Sequence, residues 1–473
     1  MKLNYKYLLL QLLLFAQLNN LQAENLVEIY GLALANDPIL NTAISRNLAN
    51  QEIETQVKSV LMPTFTLNAS LFNLESLDPN RPTNYATGEL DPNIVLTETT
   101  TESSGWSVVA NQTLFDWSRI YQLRQAEKIV ALGDLRLSMS YQDIILRVVD
   151  AYFSLISATK NLEFFESRLK RVSEQFDQAT RRFELGVIPV TDLQAIQSQR
   201  DLAISSIITS QRQLIMNEDR LAEIIGTRLD RLNSLKDDFN FTLPEPNDIN
   251  YWLERGLSSS LELNGSLLES DIAYDSLRAV KASRLPVLRF SATLSNNATT
   301  VTRTNELMNN PPCLGNPPCP SLYADSLSHT EDIRYSLNFS LPLFSGGLIS
   351  SRIRESSYNY DATNHEVTRQ QRVIERSIRD AFLGVQLGVS QINAYKQAIL
   401  SAELNLNATE RAYTLGSRTP SDILIAEENL VNAQVNLENA KKDYLISGFR
   451  LKALVGALNT QDLIELNDAL TTI

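Results

Sequence analysis

Three hydrophobic patterns alternate along this chain, and each predicts a different element. The first is helical. Ile144, Val148, Ala151, Leu155, Ala158, Leu162, Phe165, Leu169, Val172, Phe176, Ala179 and Phe183 follow at alternating spacings of four and three. That unbroken heptad seam predicts a long helix with a left-handed supercoil. Residues 118–185 contain no proline, and at 1.5 Å per residue they would reach about 100 Å, more than an ordinary globular core needs. A second seam returns through Leu193, Ile196, Ala203, Ile207, Leu214 and Leu221. The two predict an antiparallel helical hairpin with its tip near 186–191.

The plan recurs about 230 residues later. Arg182-Phe183-Glu184-Leu185-Gly186 is answered by Ala412-Tyr413-Thr414-Leu415-Gly416, Thr191-Asp192-Leu193 by Ser421-Asp422-Ile423, and Ile225-Gly226 by Val455-Gly456. The shifted seam reads Ile374, Ile378, Ala381, Val385, Gly388, Ile392, Tyr395, Ile399, Ala402, Leu406, Thr409 and Tyr413. It is softer, because Gly388 and Thr409 stand in it. The second tip falls near 416–421. Gly186 and Gly416 stand where a left-handed C-cap is wanted. Pro189 and Pro420 lie in the turns, and Thr191 or Thr419 can restart the next helix. The division expected is a first repeat over 24–226, an intervening segment over 227–260, a second repeat over 261–456 and a terminal segment over 457–473.

The second pattern has period two. Phe65, Leu67, Ala69 and Leu71 alternate with Thr66, Asn68 and Ser70, in a strand expected over 63–72. Leu288, Phe290, Ala292 and Leu294 do the same over 286–295, and Tyr335, Leu337, Phe339 and Leu341 over 333–343. The segment 105–115 is less regular, with Trp106, Val108 and Ala110 on one side and Val109 on the other. Each has the length and alternation of an outer-membrane strand, and each alone fits the half-buried face of a soluble sheet. The long polar connections, 73–103 and 296–332, favour the first, as extracellular loops. Four strands cannot close a barrel, since about eight is the smallest. Open edges are not tolerated in lipid. The expected barrel therefore needs several chains, eight strands from two copies or twelve from three.

The third pattern is a short apolar run at the start. Lys2 and Lys6 accompany Leu8–Leu18, and Leu21-Gln22-Ala23 ends in a small residue. This predicts a secretory signal peptide over 1–23, too short to span a bilayer. Composition then narrows the function. A net charge of −13 argues against nucleic acid as a partner. The only two histidines, His329 and His365, stand far apart, which leaves little material for a metal site or a catalytic triad. No Gly-rich phosphate loop or nucleophile elbow is present. No enzyme activity, metal or cofactor is expected. Cys313 and Cys319, in a Pro-rich stretch, are expected to form a small loop disulfide in an oxidising compartment.

Several of these segments together resemble the TolC family of outer-membrane efflux channels. They include Glu24-Asn25-Leu26, Asn36-Asp37-Pro38, Gln112-Thr113-Leu114-Phe115-Asp116, Leu341-Pro342-Leu343-Phe344 with Gly346-Gly347, Ala394-Tyr395-Lys396-Gln397-Ala398, Gly416-Ser417-Arg418-Thr419 and Leu458-Asn459-Thr460-Gln461-Asp462-Leu463. The resemblance covers essentially the whole mature chain. It implies a mixed, mainly α fold: a homotrimer whose twelve-stranded transmembrane β-barrel continues into a twelve-helix periplasmic α-barrel. Residues 227–260 and 457–473 would form a mixed domain around its waist. It also implies transport without chemistry. A periplasmic adaptor (membrane fusion) protein and an inner-membrane pump of ABC, RND or MFS type would recruit the channel, and opening would untwist the inner helices.

The same resemblance assigns residues. Tyr413 and Arg418 match gate positions on the inner helices, and Asp192 with Thr191 match their partners. Tyr413 is also a seam residue, and Asp192 also suits the positive end of its own helix. Asp422 matches a selectivity ring at the narrowest point, where three carboxylates would favour cations and raise one another's pKa; its alternative is a first-turn acid. Three residues on, where relatives often carry a second acid, this chain has Ile425, and Glu427 and Glu428 are expected on other faces of the helix. The tips, at Gly186, Val187, Gly416 and Ser417, are the expected adaptor-docking points. Two other readings compete. A periplasmic adaptor needs only one hairpin, and a structural coiled-coil stalk does not explain the alternating strands.

Overall fold

The computed structural model describes residues 25–80, 88, 95–229, 232–236, 238–307 and 323–471. The expected signal peptide and both cysteines, Cys313 and Cys319, lie outside the described residues. The chain divides into two compact units, each drawing on both halves of the sequence. One comprises Met1–Gln51, Ile129–Ser270 and Asp361–Ile473, and the other Glu52–Lys128 and Asp271–Tyr360.

The second unit is built on a four-stranded antiparallel sheet of β1 (Thr64–Asn80), β2 (Val95–Phe115), β4 (Val287–Leu307) and β5 (Tyr323–Ser340), in the order β1-β2-β4-β5. Its register puts the apolar positions of all four strands on one face. Leu67 lies opposite Val108, Val108 opposite Leu294, and Leu294 opposite Ile333. The other face carries Asn68, Ser107, Ser295 and Asp332. The apolar face is open: Phe65, Leu67, Leu71, Ile333, Tyr335, Leu337 and Phe339 are all exposed. Val109 falls on the polar face, between Thr66 and Thr293.

The strands run well past the lengths expected from alternation. Residues 73–80, 95–103, 296–307 and 323–332, expected as loop, are paired strand. Their composition explains why the alternation was missed. Thr97, Thr99, Thr100, Thr101, Thr299, Thr300 and Thr302 are β-branched and favour the strand, yet both faces are polar, so no apolar period marks them.

The first unit holds most of the long helices α3 (Trp117–Glu184), α4 (Val190–Ile225), α7 (Leu348–Thr414) and α8 (Pro420–Leu454). Its largest core joins α1 (Leu26–Asn36), the middle of α3 and the end of α4. It is completed by α9 (Thr460–Asp468), through Leu26, Ile29, Ile144, Val148, Tyr152, Leu221, Ile225 and Leu463. Strand β3 (Ser234–Leu235) pairs with β6 (Leu470–Thr471), which ties the 227–260 segment to the C-terminal segment. Asp37, between α1 and α2 (Pro38–Ser59), is buried and receives two bonds from Arg147 on α3, at 2.6 and 3.0 Å. A second core packs α5 (Ile249–Ser259) and α6 (Leu261–Ala282) on α7, around Trp252, Leu263, Ile374 and Ile378. Gly388 has a reason to stand in the α7 seam, since a Cβ there would lie 3.2 Å from Cβ of Tyr444 on α8.

Candidate functional site at the hairpin tips

The two turns share one backbone device. Gly186 has φ +72° and Gly416 φ +76°, the left-handed region that a side chain disfavours. Val187 N–H donates to the Arg182 carbonyl at 2.8 Å, and Ser417 N–H to the Ala412 carbonyl at 3.0 Å, so both helices end on a six-residue closure. The restarts differ. In α8, Thr419 is the N-cap. Its hydroxyl accepts from Asp422 N–H at 3.4 Å, and its own N–H donates to Asp422 Oδ2 at 2.8 Å, a capping box with Pro420 following. In α4 the N-cap is Pro189, whose side chain has no hydrogen-bonding group to cap the helix. Thr191 therefore lies inside the first turn rather than starting the helix as expected, because the backbone at Pro189 already makes Val190 the first helical residue.

Each residue expected at the gate can now be placed. Tyr413 does not meet Asp192 within the chain. Its hydroxyl accepts from Arg182 Nη1 at 2.8 Å, and the Arg182 guanidinium lies over its ring at 5.3 Å from the centroid. Arg418 reaches Asp422, at 3.7 Å and one turn away. The Asp192 carboxylate has no side-chain partner among the described residues, and its N–H donates to the Pro189 carbonyl at 3.2 Å. Within the single chain, Asp422 is held below the usual carboxylate range. The Thr419 N–H does most of this, followed by the Thr419 hydroxyl and the Arg418 charge. Asp422 is thus a cap, the alternative the sequence left open, whatever further role a ring of copies would give it.

Packing sorts the faces of α8. Ile423, Ala426 and Leu430 lie against Leu406 of α7, with Tyr413 on the edge. Leu424 lies in a core with Val172 and Ala179 of α3 and Ile196 of α4. Glu427 shares that inward face and is fully buried. Its Oε1 accepts from Arg171 Nε at 3.3 Å and Gln175 Nε2 at 3.1 Å, both on α3. The sequence expected Glu427 on a different face from Asp422 and Ile425, and the face it occupies is packed against α3. The signal was present: Leu424, Glu427 and Val431 follow at spacings of three and four, an apolar seam with one charged member.

The family model described as "Outer membrane efflux protein" matches residues 29–227 and 252–457, the greater part of the chain. The chain belongs to that family. Outer membrane protein TolC of Escherichia coli K12 is 29% identical over 453 residues, covering 95% of this chain and 86% of that protein. The alkaline protease secretion protein AprF of Pseudomonas aeruginosa is 24% identical over 443 residues, covering 93% and 86%. In three dimensions the efflux-family chain is similar to the Campylobacter jejuni CmeC outer membrane channel, with a TM-score of 0.71 at 17% identity over 95% of this chain and 90% of that one. The open state of the Neisseria gonorrhoeae MtrE outer membrane channel gives 0.64 at 15% identity over 92% and 90%. The chain is accordingly a mainly helical protein with the fold of outer-membrane channels, and its curated relatives are outer-membrane and secretion proteins. No described helix is long and apolar enough to cross a membrane.

Proposed function

We propose that three copies of this chain close one twelve-stranded β-barrel in the outer membrane, continued into the periplasm by a twelve-helix α-barrel. The assembly is a channel-tunnel that exports substrates, from the periplasm or from an inner-membrane pump, to the outside. One observation carries the reading. The four-stranded sheet exposes an apolar face, and its outer strands β1 and β5 have no further neighbour among the described residues. In lipid every backbone polar group needs a partner, so a sheet with two free edges must be closed by other strands. Copies of the same sheet supply them, β5 of one against β1 of the next. Strand counting permits two copies or three, and the likeness to the family's outer-membrane channels favours three.

The chemistry required is modest. The hairpin tips form the closed end, and opening swings the α7–α8 hairpin away from α3 and α4. Tyr413 and Arg418 hold the closed state, with Thr191 and Asp192 of a neighbouring copy as further partners. Asp422 lines the narrowest ring. Gly186, Val187, Gly416 and Ser417 present the turns to a periplasmic adaptor, which links the channel to an inner-membrane pump. The residues 1–23 direct export as a signal peptide. Relatives named for protease secretion and for efflux make both protein and small-molecule cargo compatible with one tube. The test is to purify the protein from membranes and measure its mass in detergent together with its conductance in a planar bilayer. A trimer with low, cation-selective conductance is expected, and a freely soluble monomer overturns the reading.

A further inference from the structure

Glu427 has no exposed surface, and the residues one turn to either side on the same face, Leu424 and Val431, are buried with it. The carboxylate thus occupies a core position between α8 and α3. Its two bonds, from Arg171 and Gln175, both end on Oε1. Oε2 is enclosed by the chain's own atoms and has no partner among the described residues. Arg171, the cation of the pair, keeps 34% of its side chain exposed. The cation therefore retains water while the anion does not, and one 3.3 Å contact is a poor return for that loss of hydration. Beyond Arg171, the charged groups facing Glu427 are Arg168 on α3 and Glu410 on α7. Arg168 is itself buried, with Nε unpartnered and Nη2 donating to Gln199 on α4 at 3.4 Å.

We infer that Glu427 is a proton-controlled member of the gate: ionised, it weakens the packing of α8 on α3, and protonated, it lets that packing close. The inference rests on the gating reading above and identifies the group that regulates it. A half-satisfied buried carboxylate is a fault in an otherwise apolar seam, and it is relieved when α8 moves and water reaches it. Burial pushes the Glu427 carboxyl above the ordinary 4.5, against the pull of the Arg171 and Arg168 charges, and Glu410 adds to the rise. A carboxyl that holds its proton more tightly when packed than when hydrated favours the packed state as pH falls. Acid therefore closes the gate, in a window lying above 4.5.

The test uses purified full-length trimers in planar bilayers, recorded as the pH is lowered from the alkaline side toward 4.5. Wild-type open probability should fall on acidification. Glu427→Gln keeps the shape and an acceptor for both bonds but carries no charge. It should hold open probability below the wild-type level at the alkaline end, without the wild-type fall on acidification. Arg171→Gln strands the carboxylate and should act in the opposite sense, raising open probability at the alkaline end while closure on acidification is retained. Arg418→Ala serves as the control for the gate itself. If it opens the channel while Glu427→Gln keeps the wild-type pH response, the assignment of Glu427 is overturned and the gate stands. If it leaves conductance unchanged while Glu427→Gln closes the channel further, Glu427 is supported and the tip contact at Arg418 falls. If neither variant alters conductance, both fall.

Discussion

In the proposed channel, removing the Tyr413 hydroxyl isolates one bond of the closed tip. In Tyr413→Phe the ring stays, and so does the stacking of the Arg182 guanidinium over it at 5.3 Å. What is lost is the 2.8 Å bond from Arg182 Nη1, which joins α3 to α7. A hydrogen bond to a charged group contributes about 1.5–3 kcal/mol when buried, and both residues here are only half-buried, so about 1 kcal/mol per chain is the appropriate figure. Three copies opening together would lose about 3 kcal/mol, roughly a hundredfold in the ratio of closed to open states. Single-channel recording of the wild type, Tyr413→Phe, Arg182→Gln and the double variant measures this directly. Both single variants should raise open probability, and the double variant should match the stronger single one, since either change removes the same bond. Fully additive effects, or closed single variants, would refute the pairing of these two residues.

Two further predictions concern the frame that positions the tips. Gly456 has φ +67°, and a Cβ there would lie 2.6 Å from the Ser259 carbonyl oxygen, whereas at Gly226, φ +79°, it would lie 3.3 Å from an Asn36 side-chain carbon. Gly226→Ala should cost about 1–2 kcal/mol from its backbone conformation alone, and Gly456→Ala clearly more. Equal thermal midpoints for the two variants would contradict this. Asp37→Ala removes the buried partner of Arg147, which keeps its 2.7 Å bond to Asp143, and should destabilise the protein by about 1.5–3 kcal/mol near neutral pH. Burial pushes the Asp37 carboxyl up, but the Arg147 bonds and the Leu40 N–H outweigh it and hold it below 3.8. Its stabilisation is therefore complete above 3.8 and is lost as pH falls through the depressed value, so the gap between variant and wild-type midpoints should narrow in strong acid.

The helical hairpins were legible because their information is local. A seam repeating at four and three along Ile144–Phe183, ended by Gly186, specifies a helix and its stop without reference to any distant residue. The same holds for the start of β1, where Phe65, Leu67 and Leu71 alternate with polar neighbours. Legibility failed where neither face was apolar. The threonine-rich ends of β2 and β4 are strand because they pair with each other, Thr101 opposite Val301 and Thr99 opposite Arg303, and pairing across some two hundred residues leaves no local period.

Sequence by itself therefore determined the kinds of element, their order, the turns between them and the likeness to outer-membrane channels. Tertiary structure alone decided which charges are shared and which are stranded. Tyr413 meets Arg182 rather than Asp192 in its own chain, Asp422 closes on Thr419, and Glu427 enters the core against Arg171. The physical reason is that a heptad pattern records which face of a helix is buried, while the partner of a buried polar atom depends on the rotation and register of a second helix remote in sequence. Seams of interchangeable apolar residues do not encode that choice.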